Sequence, residues 1–189
     1  VAFPGGFGTL DKLFEATAIV GTILVVALIA GIDLGSIFLQ PGRLGLGLAI
    51  GGLGFAAFAV VAFLQLRSFH LGWKTLVSLA PWMLVFCFSN ALMEELWFRG
   101  VFLKPFEPVL GAVASLILTS IAFTGSHIGA TYLSRAEKVR FLAILFPLAL
   151  AWGYTMQLTG SLIGSTLFHA GADLLALNGF VAAVYGREF

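Results

Sequence analysis

The chain has 189 residues, of which 60% are hydrophobic and only 10% are charged, and its formal net charge is +1. Soluble domains carry about 25% charged residues, so this composition excludes a disordered chain and indicates a polytopic membrane protein. The near-neutral charge gives no support to nucleic-acid binding. The single cysteine, Cys87, excludes an internal disulfide and a cysteine-based zinc cluster, and we expect it to pack between helices.

The chain begins at Val1 rather than at a methionine, so we expect a fragment or a processed form. A basic region, a short apolar core and a cleavage site do not follow one another near the start, so the pattern of a secretory signal is missing.

Five or six apolar segments are long enough to cross a bilayer. A hydrocarbon core about 30 Å thick needs roughly 20 helical residues. We predict spans near residues 16–32, 44–66, 75–103, 110–127, 141–158 and 161–178. The stretch KPFEP is expected to break the chain after the third span. Since the alternating strands of a membrane barrel are missing, the prediction is an all-α, polytopic transmembrane bundle of about six helices.

Glycines at 45, 47 and 51 fall inside the second apolar segment rather than after a strand. A nucleotide-binding loop requires a strand before the glycines, so that interpretation is rejected. The spacing Gly47-xxx-Gly51 is typical of close helix packing in membranes.

Ionisable residues enter the apolar segments at three places. They are Glu94, Glu95 and Arg99 in the third segment, His127 at the end of the fourth, and His169 and Asp173 in the sixth. Each charge at mid-bilayer costs about 2.5–3.5 kcal/mol on insertion scales. Such residues face the bundle interior and mark functional sites, so we predict an active site inside the membrane.

The two adjacent glutamates are not equivalent. Glu95 and Arg99 are four residues apart on one helix face and can pair, which by itself could be purely structural. Glu94 lies about 100° around the helix and is poorly placed to share that arginine. Asn90 lies on the same face as Glu94. A carboxylate beside a paired one, without its own cation, is typical of a general base.

The histidines are ambiguous when taken singly. His127 is also explained as an interfacial residue, because the charged stretch SRAEKVR follows it. His169 and Asp173 form an i, i+4 pair that could be structural or functional. His70 has no partner at helical spacing and is expected to be a solvated loop residue. Taken together with the glutamates, His127, His169 and Asp173 suit one polar pocket that holds a water molecule.

Helix lengths permit these groups to meet. Suppose that the turns near 104–111 and 159–160 lie on one membrane face. Glu95 and His169 are then each roughly 13 Å from that face, and His127 roughly 22–24 Å, at about 1.5 Å per residue. A tilt or a kink of the fourth segment must then bring His127 to the depth of Glu95 and His169.

Three motifs carry a family resemblance. They are Glu94-Glu95-xxx-Arg99, Phe123-xxx-His127 and His169-xxx-Asp173. In this order, each on its own apolar helix, they resemble the signature motifs of the CPBP family, the CAAX-prenyl endopeptidases and bacteriocin-processing proteins that are also called the Abi family of intramembrane proteases. The resemblance covers about residues 75–178. It divides one integral membrane domain into N-terminal transmembrane helices (1–74) and a catalytic transmembrane core (75–189).

The resemblance implies hydrolysis of a peptide bond within the membrane, in a hydrophobic or lipidated, CAAX-like peptide or a membrane-protein substrate. By position, Glu94 and His127 would activate a water molecule. Glu95 and Arg99 would hold the site together. His169 and Asp173, the pair of the third motif, would stabilise the tetrahedral oxyanion. The implied partners are that substrate and the lipid bilayer, with no nucleic acid, in a prokaryotic cell membrane; the oligomeric state is not predicted.

One position departs from the family pattern, because the last motif residue is often Asn and here is Asp173. An amide donates a hydrogen bond, whereas a carboxylate does so only when protonated. Either His169 donates alone, or Asp173 is neutral, or Asp173 orients His169. A zinc ion is the fourth alternative, with Glu94, His127, His169 and Asp173 as its ligands. The HExxH pattern of zinc proteases is absent, and a metal-free glutamate mechanism remains open.

Two rival functions remain open at this point. One is a non-catalytic membrane partner of the same fold, such as a bacteriocin-immunity or secretion-accessory protein. The other is a small proton-coupled transporter, which the lack of an internal repeat disfavours.

The basic residues predict an orientation. One side holds Lys12, Arg67, Lys74, Arg135, Lys138 and Arg140, and the other holds Arg43 and Lys104. The positive-inside rule therefore places the N-terminus in the cytoplasm and the turn after the third segment outside. The resemblance to the CAAX-cleaving proteins implies the opposite arrangement, in which that turn and the site are open to the cytosol.

Overall fold

The computed structural model describes residues 4–69, 71–129 and 134–185. Its six helices are α1 (Pro4–Ile29), α2 (Leu44–Ser68), α3 (Trp73–Leu110), α4 (Ala112–Ser126), α5 (Arg135–Thr159) and α6 (Leu162–Tyr185). Short 3-10 turns lie at Leu34–Ile37 and His127–Gly129. No strand occurs within these ranges. The predicted all-α bundle of six helices is confirmed, while His70 lies outside the described residues.

Five of the helices in the described part of the chain are long and apolar enough to cross a membrane. These spans are Gly8–Ile29, Leu44–Ser68, Trp73–Leu110, Ala112–Gly129 and Arg135–Thr159. Their outer surfaces carry large apolar side chains, such as Phe14 at 78% exposure and Ile29 at 83%. A surface of this kind is stable against lipid and not against water, so the protein is a helical membrane bundle.

The break predicted at KPFEP is wrong, because α3 continues through it to Leu110. The helix contains a regular α-helical part (Trp73–Glu94), a π-helical part (Glu95–Leu103) and a second α-helical part (Lys104–Leu110). Pro105 stands at the start of the last part, where a missing backbone N–H costs little. The helix ends instead at Gly111, whose φ of 81° favours glycine.

Three other helices are longer than predicted, and one of them, α6, ends at Tyr185 rather than near residue 178. α1 begins at Pro4 rather than near residue 16, because ionisable residues of its first turns are helical as well. α5 begins at Arg135 rather than near residue 141. Ser134 and Glu137 form a capping box that satisfies the first backbone donors of α5, which explains the earlier start.

Glycines allow α2 and α6 to pack in backbone contact. A Cβ added to Gly164 of α6 would lie 2.7 Å from the carbonyl oxygen of Gly47, and a Cβ on Gly51 would collide with the backbone of Gly164. Side chains of any size are therefore excluded at this crossing. The predicted packing role of Gly47-xxx-Gly51 is confirmed.

Two turns meet at one end of the bundle. Gln157 near the end of α5 donates hydrogen bonds to Glu107 Oε1 at 2.6 Å and to the carbonyl of Ala112 at 2.9 Å. The backbone N–H of Arg43 also donates to the carbonyl of Thr159, at 2.6 Å. We call this the closed end. The opposite end, where α1 begins, α2 ends and α5 begins, is called the loop end.

Candidate active site

Glu95 forms the centre of a fully buried polar network. Arg99 Nη1 donates to Glu95 Oε1 at 2.9 Å, and both side chains have zero exposure. Ser165 Oγ donates to the other carboxylate oxygen at 2.5 Å. Nδ1 of His169 lies 2.8 Å from Oε1. The predicted Glu95–Arg99 pair is confirmed, and both oxygens of this carboxylate are occupied.

Arg99 extends the network to two further helices. Its Nη2 donates to the carbonyl of Ala149 on α5 at 3.2 Å. Its guanidinium lies 4.2 Å from the centre of the Phe123 ring on α4 and 5.8 Å from that of Trp152 on α5. Cation–π contacts of a desolvated arginine are favourable. We call Glu95, Arg99, Ser165 and the Nδ1 side of His169 the buried clamp, because together they join α3 to α4, α5 and α6.

The clamp begins where α3 changes to its π-helical part. Glu95 is the first residue of that part, which also contains Arg99. Segments of this kind are rare, and they occur frequently at functional sites. Gly100 follows directly, and a Cβ there would lie 2.8 Å from Leu96 Cδ1 and 3.1 Å from the carbonyl of Ile37. The sequence therefore keeps a glycine after the arginine for close packing.

A second group of polar side chains lies beside the clamp and faces a cavity. Glu94 Oε2 and Asp173 Oδ1 each lie 3.6 Å from His169 Nε2. Asn90 donates through Nδ2 to Asp173 Oδ2 at 3.1 Å. Glu94 Oε2 has no hydrogen-bond partner in the described structure. We call Asn90, Glu94, His127, Asp173 and the Nε2 side of His169 the open cluster.

His127 stands at the end of α4, in the 3-10 turn at the loop end. Its Nδ1 lies 2.9 Å from the carbonyl of Phe123. A carbonyl oxygen only accepts, so Nδ1 carries the proton and Nε2 is left as an acceptor. The Phe123 ring lies 4.8 Å from His127 and 5.7 Å from His169, between centroids. The structure thus brings both histidines next to one phenylalanine, as the helix-length estimate allowed.

His169 is held in place on both its edge and its face. Its Nδ1 donates to the carboxylate of Glu95, and its ring stacks on Trp152 with centroids 3.9 Å apart at 11°. Sequence reasoning missed Ser165 and Trp152. Ser165 could have been found, because it lies four residues before His169 on the same helix face. Trp152 gave no signal, since a tryptophan in an apolar helix is usually a packing residue.

A cavity of about 530 Å³ contains the open cluster. Every member of the cluster is among its lining residues. Its walls are otherwise largely apolar and include Phe58, Phe86, Phe141, Ile144, Leu148 and Leu177. Lys12 near the start of α1 also lines it, so the cavity extends from the clamp towards the loop end.

A model of the Rce1-like family, described as type II CAAX prenyl endopeptidase Rce1-like, matches residues 76–175. The match covers more than half of the chain and includes all three motifs. The chain belongs to this family. Neither the curated proteins nor the solved structures yield a match.

Membership of the Rce1-like family confirms the resemblance drawn from the three motifs. At the level of the family, the protein is a CAAX-type intramembrane endopeptidase, embedded in a lipid bilayer and acting on peptides. The matched region begins in α3 and ends in α6, so it contains the clamp and the open cluster. Lys12 lies outside it.

The four residues considered as zinc ligands all line the cavity. Among the residues that the structure describes, no group of three or more His, Cys, Asp or Glu side chains is arranged to hold a metal ion. His127 directs Nδ1 to a backbone carbonyl, which leaves its Nε2 free, and the carboxylates of Glu94 and Asp173 lie 3.6 Å from His169 Nε2. Ligand atoms bound to zinc at about 2.0–2.3 Å in tetrahedral geometry lie about 3.3–3.8 Å from one another, so these separations do not exclude an ion. The zinc alternative stays a prediction, and we derive no step through a metal.

Proposed function

We propose that this protein hydrolyses a peptide bond of a hydrophobic or lipidated, CAAX-like peptide inside the membrane, with Glu94 and His127 activating the water molecule. One observation carries the proposal. Of two adjacent glutamates, Glu95 has both oxygens bonded, whereas Glu94 has an oxygen without a partner and lines the cavity. A carboxylate that lies 3.6 Å from a histidine nitrogen and has an unbonded oxygen is suited to accept a proton.

The first chemical step uses two acceptors. A water molecule in the cavity donates one hydrogen bond to Glu94 and the other to Nε2 of His127. Glu94 takes the proton as the oxygen attacks the carbonyl carbon of the substrate. The same carboxyl group then returns the proton to the leaving amine, so the peptide is cleaved and Glu94 is regenerated.

The tetrahedral intermediate requires hydrogen-bond donors. In this scheme His169 donates a hydrogen bond to the oxyanion through Nε2–H, while its Nδ1–H continues to donate to the Glu95 carboxylate. Asp173 accepts a hydrogen bond from Asn90, and its other carboxylate oxygen lies 3.6 Å from His169 Nε2. These contacts support a role for Asp173 in orienting the imidazole of His169 rather than in donating to the oxyanion. Asn90 has a second amide hydrogen and lines the cavity, so it is a further donor. Removal of one oxyanion donor costs about 100- to 1,000-fold in rate in enzymes of known mechanism.

The cavity supports an apolar substrate that enters from the cytoplasmic side. Its volume of about 530 Å³ lies within the range of roughly 300–1,000 Å³ that ligand pockets have. It extends to the loop end, which carries most of the basic residues and which the positive-inside rule places in the cytoplasm. The cavity and the turn after α3 therefore lie at opposite ends. In this orientation the site opens to the cytosol although that turn faces outside.

The proposal is tested with purified protein in liposomes. Wild type, Glu94→Gln and Glu137→Gln are incubated with lipidated and plain hydrophobic peptides, and products are read by mass spectrometry. We expect cleavage by wild type and by Glu137→Gln, since Glu137 is exposed, does not line the cavity, and holds a capping-box position that glutamine also serves. We expect none by Glu94→Gln. Equal cleavage by Glu94→Gln would remove Glu94 from the mechanism, and a folded wild type that cleaves no peptide would favour a non-catalytic membrane partner.

A further inference from the structure

Ser126 precedes His127 at the end of α4, and the proposed mechanism does not use its hydroxyl. Ser126 Oγ donates to the carbonyl of Phe123 at 2.7 Å and lies 3.2 Å from Nδ1 of His127. The same carbonyl lies 2.9 Å from Nδ1. The hydroxyl oxygen, the carbonyl oxygen and the ring nitrogen therefore form a triangle in which each atom is within hydrogen-bond distance of the other two.

The end of the α-helix explains why the carbonyl of Phe123 is available to side chains. In a regular α-helix it would accept from the backbone N–H four residues later, which is that of His127. That N–H bonds instead to the carbonyl of Thr124, since the chain tightens into the 3-10 turn His127–Gly129. The Phe123 carbonyl accepts from the side chains of Ser126 and His127 in its place.

The number of protons in the triangle favours one tautomer of His127. A serine hydroxyl has one proton and two lone pairs, and a carbonyl oxygen has lone pairs only. Since Ser126 gives its proton to the Phe123 carbonyl, both oxygens present lone pairs to Nδ1 of His127. If Nδ1 had no proton, it would face the carbonyl lone pairs directly, and the hydroxyl could satisfy only one of the two. The hydrogen bonds therefore keep the proton on Nδ1 and leave Nε2 as an acceptor.

A second serine shows what is specific to Ser126. Ser78 on α3 also donates to the carbonyl three residues before it, that of Thr75, at 2.8 Å. Bonds of this kind are common local contacts of serine in helices and do not by themselves indicate a function. In the part of the chain that the structure describes, Ser78 bonds only to that carbonyl, whereas Ser126 also reaches a histidine that lines the cavity.

We propose that Ser126 is a positioning residue that, with the carbonyl of Phe123, holds the proton of His127 on Nδ1 and so keeps Nε2 free to accept from the attacking water molecule. This inference rests on the proposed function and deepens it. A hydrogen bond from one ring nitrogen also fixes the ring orientation and raises the basicity of the other nitrogen. The rings of Phe123 and Phe141, with centroids 4.8 and 5.9 Å from that of His127, restrict its rotation further. Ser126 acts through His127 and contacts neither the water molecule nor the peptide.

The tautomer is measured without substrate, by nitrogen NMR of protein with isotope-labelled histidines, under conditions in which the imidazole is neutral. The His127 signals are identified by their loss in His127→Gln. Wild type should show a protonated Nδ1 and an unprotonated Nε2. Ser126→Ala should raise the ratio of the Nε2–H to the Nδ1–H tautomer by about 2- to 10-fold, the factor that one neutral hydrogen bond supplies. Ser78→Ala, which removes the same kind of bond far from the histidine, should leave the ratio unchanged.

Two isosteric variants separate the hydroxyl from its shape. Ser126→Thr keeps the hydroxyl and should keep the wild-type ratio, whereas Ser126→Val should behave as Ser126→Ala does. In peptide cleavage, Ser126→Ala and Ser126→Val should lower kcat by about 2- to 10-fold with KM unchanged, because the peptide does not contact Ser126. Folding should be retained in each variant, since residue 126 is exposed.

The outcomes separate this inference from the proposed function. A tautomer ratio that is equal in Ser126→Thr and Ser126→Val overturns the role of the hydroxyl. So does a fall in kcat that is the same in both variants, because it would come from the shape of the side chain. If wild type cleaves no peptide, the proposed function is lost, and the NMR ratio still decides whether Ser126 sets the tautomer of His127.

Discussion

The buried clamp and the open cluster lie side by side, share His169 and begin at adjacent glutamates, yet they differ in how their hydrogen bonds are used. In the clamp both oxygens of Glu95 are bonded, and the hydrogen bonds link the three helices α3, α5 and α6. In the open cluster Glu94 has an oxygen without a partner, and its nearest histidine nitrogen is 3.6 Å away. One group is closed to water and substrate, and the other lines a cavity.

The difference shows how two identical side chains obtain separate roles. A satisfied network in a low-dielectric interior is rigid, and it is costly to disturb. Unsatisfied groups cost stability and are kept where chemistry needs them. Because one step along α3 turns a side chain about 100° around the axis, Glu95 reaches Arg99 and α6 while Glu94 faces the cavity. The comparison predicts that the same substitution at the two positions will have different consequences.

Glu94→Gln should produce the largest effect, on rate alone. We expect kcat/KM for peptide cleavage to fall by about 100- to 10,000-fold, the contribution of a general base. The free energy of unfolding should change little, because Glu94 Oε2 has no bond to lose. The rate is measured by mass spectrometry and the unfolding by denaturant titration in detergent. A variant that loses stability as well as rate would show that Glu94 belongs to the structural network.

Glu95→Gln should chiefly reduce stability. It removes the negative charge beside a fully buried Arg99. Leaving one partner of a buried ion pair uncompensated costs about 3–5 kcal/mol, so the unfolding free energy should fall by that order. The measurement is the same denaturant titration, with Glu94→Gln as the matched control.

The double variant Glu95→Leu/Arg99→Met sharpens this test. Replacing both charged groups with apolar side chains leaves neither charge buried alone, so part of the loss should be recovered. Recovery will be incomplete because Ser165 and His169 lose their acceptor. A double variant less stable than Glu95→Gln would contradict the assignment of the loss to the unpaired arginine.

Much of the fold and half of the site network follow from the sequence. Long apolar segments must be helices in lipid, and the spacing of Glu95 and Arg99 places them on one face, so both were predictable. The continuation of α3 through KPFEP was not, because it depends on the π-helical part that precedes the prolines. Contacts between helices far apart in the chain, such as Ser165 with Glu95, depend on depth and rotation in the bundle, which periodicity does not fix.

Two substitutions that each remove one hydrogen-bond donor compare the buried clamp with the open cluster. Ser165→Ala removes a donor to the Glu95 carboxylate and should lower the unfolding free energy by about 1.5–3 kcal/mol, as for hydrogen bonds to charged groups. Asn90→Ala removes a donor in the cavity and should lower kcat/KM with a smaller loss of stability. For both variants, kcat/KM is measured by mass spectrometry of the cleaved peptide and the free energy of unfolding by denaturant titration in detergent. If Asn90→Ala is the more destabilising of the two, the division between clamp and open cluster is not valid.

Chelation should have the smallest effect. Both histidines of the open cluster use Nδ1 for contacts within the protein, His127 with the Phe123 carbonyl and His169 with Glu95, and neither contact requires an ion. A glutamate that activates water directly needs no ion, so treatment with a zinc chelator should leave kcat/KM unchanged. Elemental analysis of the purified protein and cleavage before and after dialysis provide the check. Activity that is lost on chelation and restored by zinc would mean that these side chains bind an ion in the working enzyme. The water would then be activated by a metal centre built from the open cluster, and not by Glu94 and His127 without an ion.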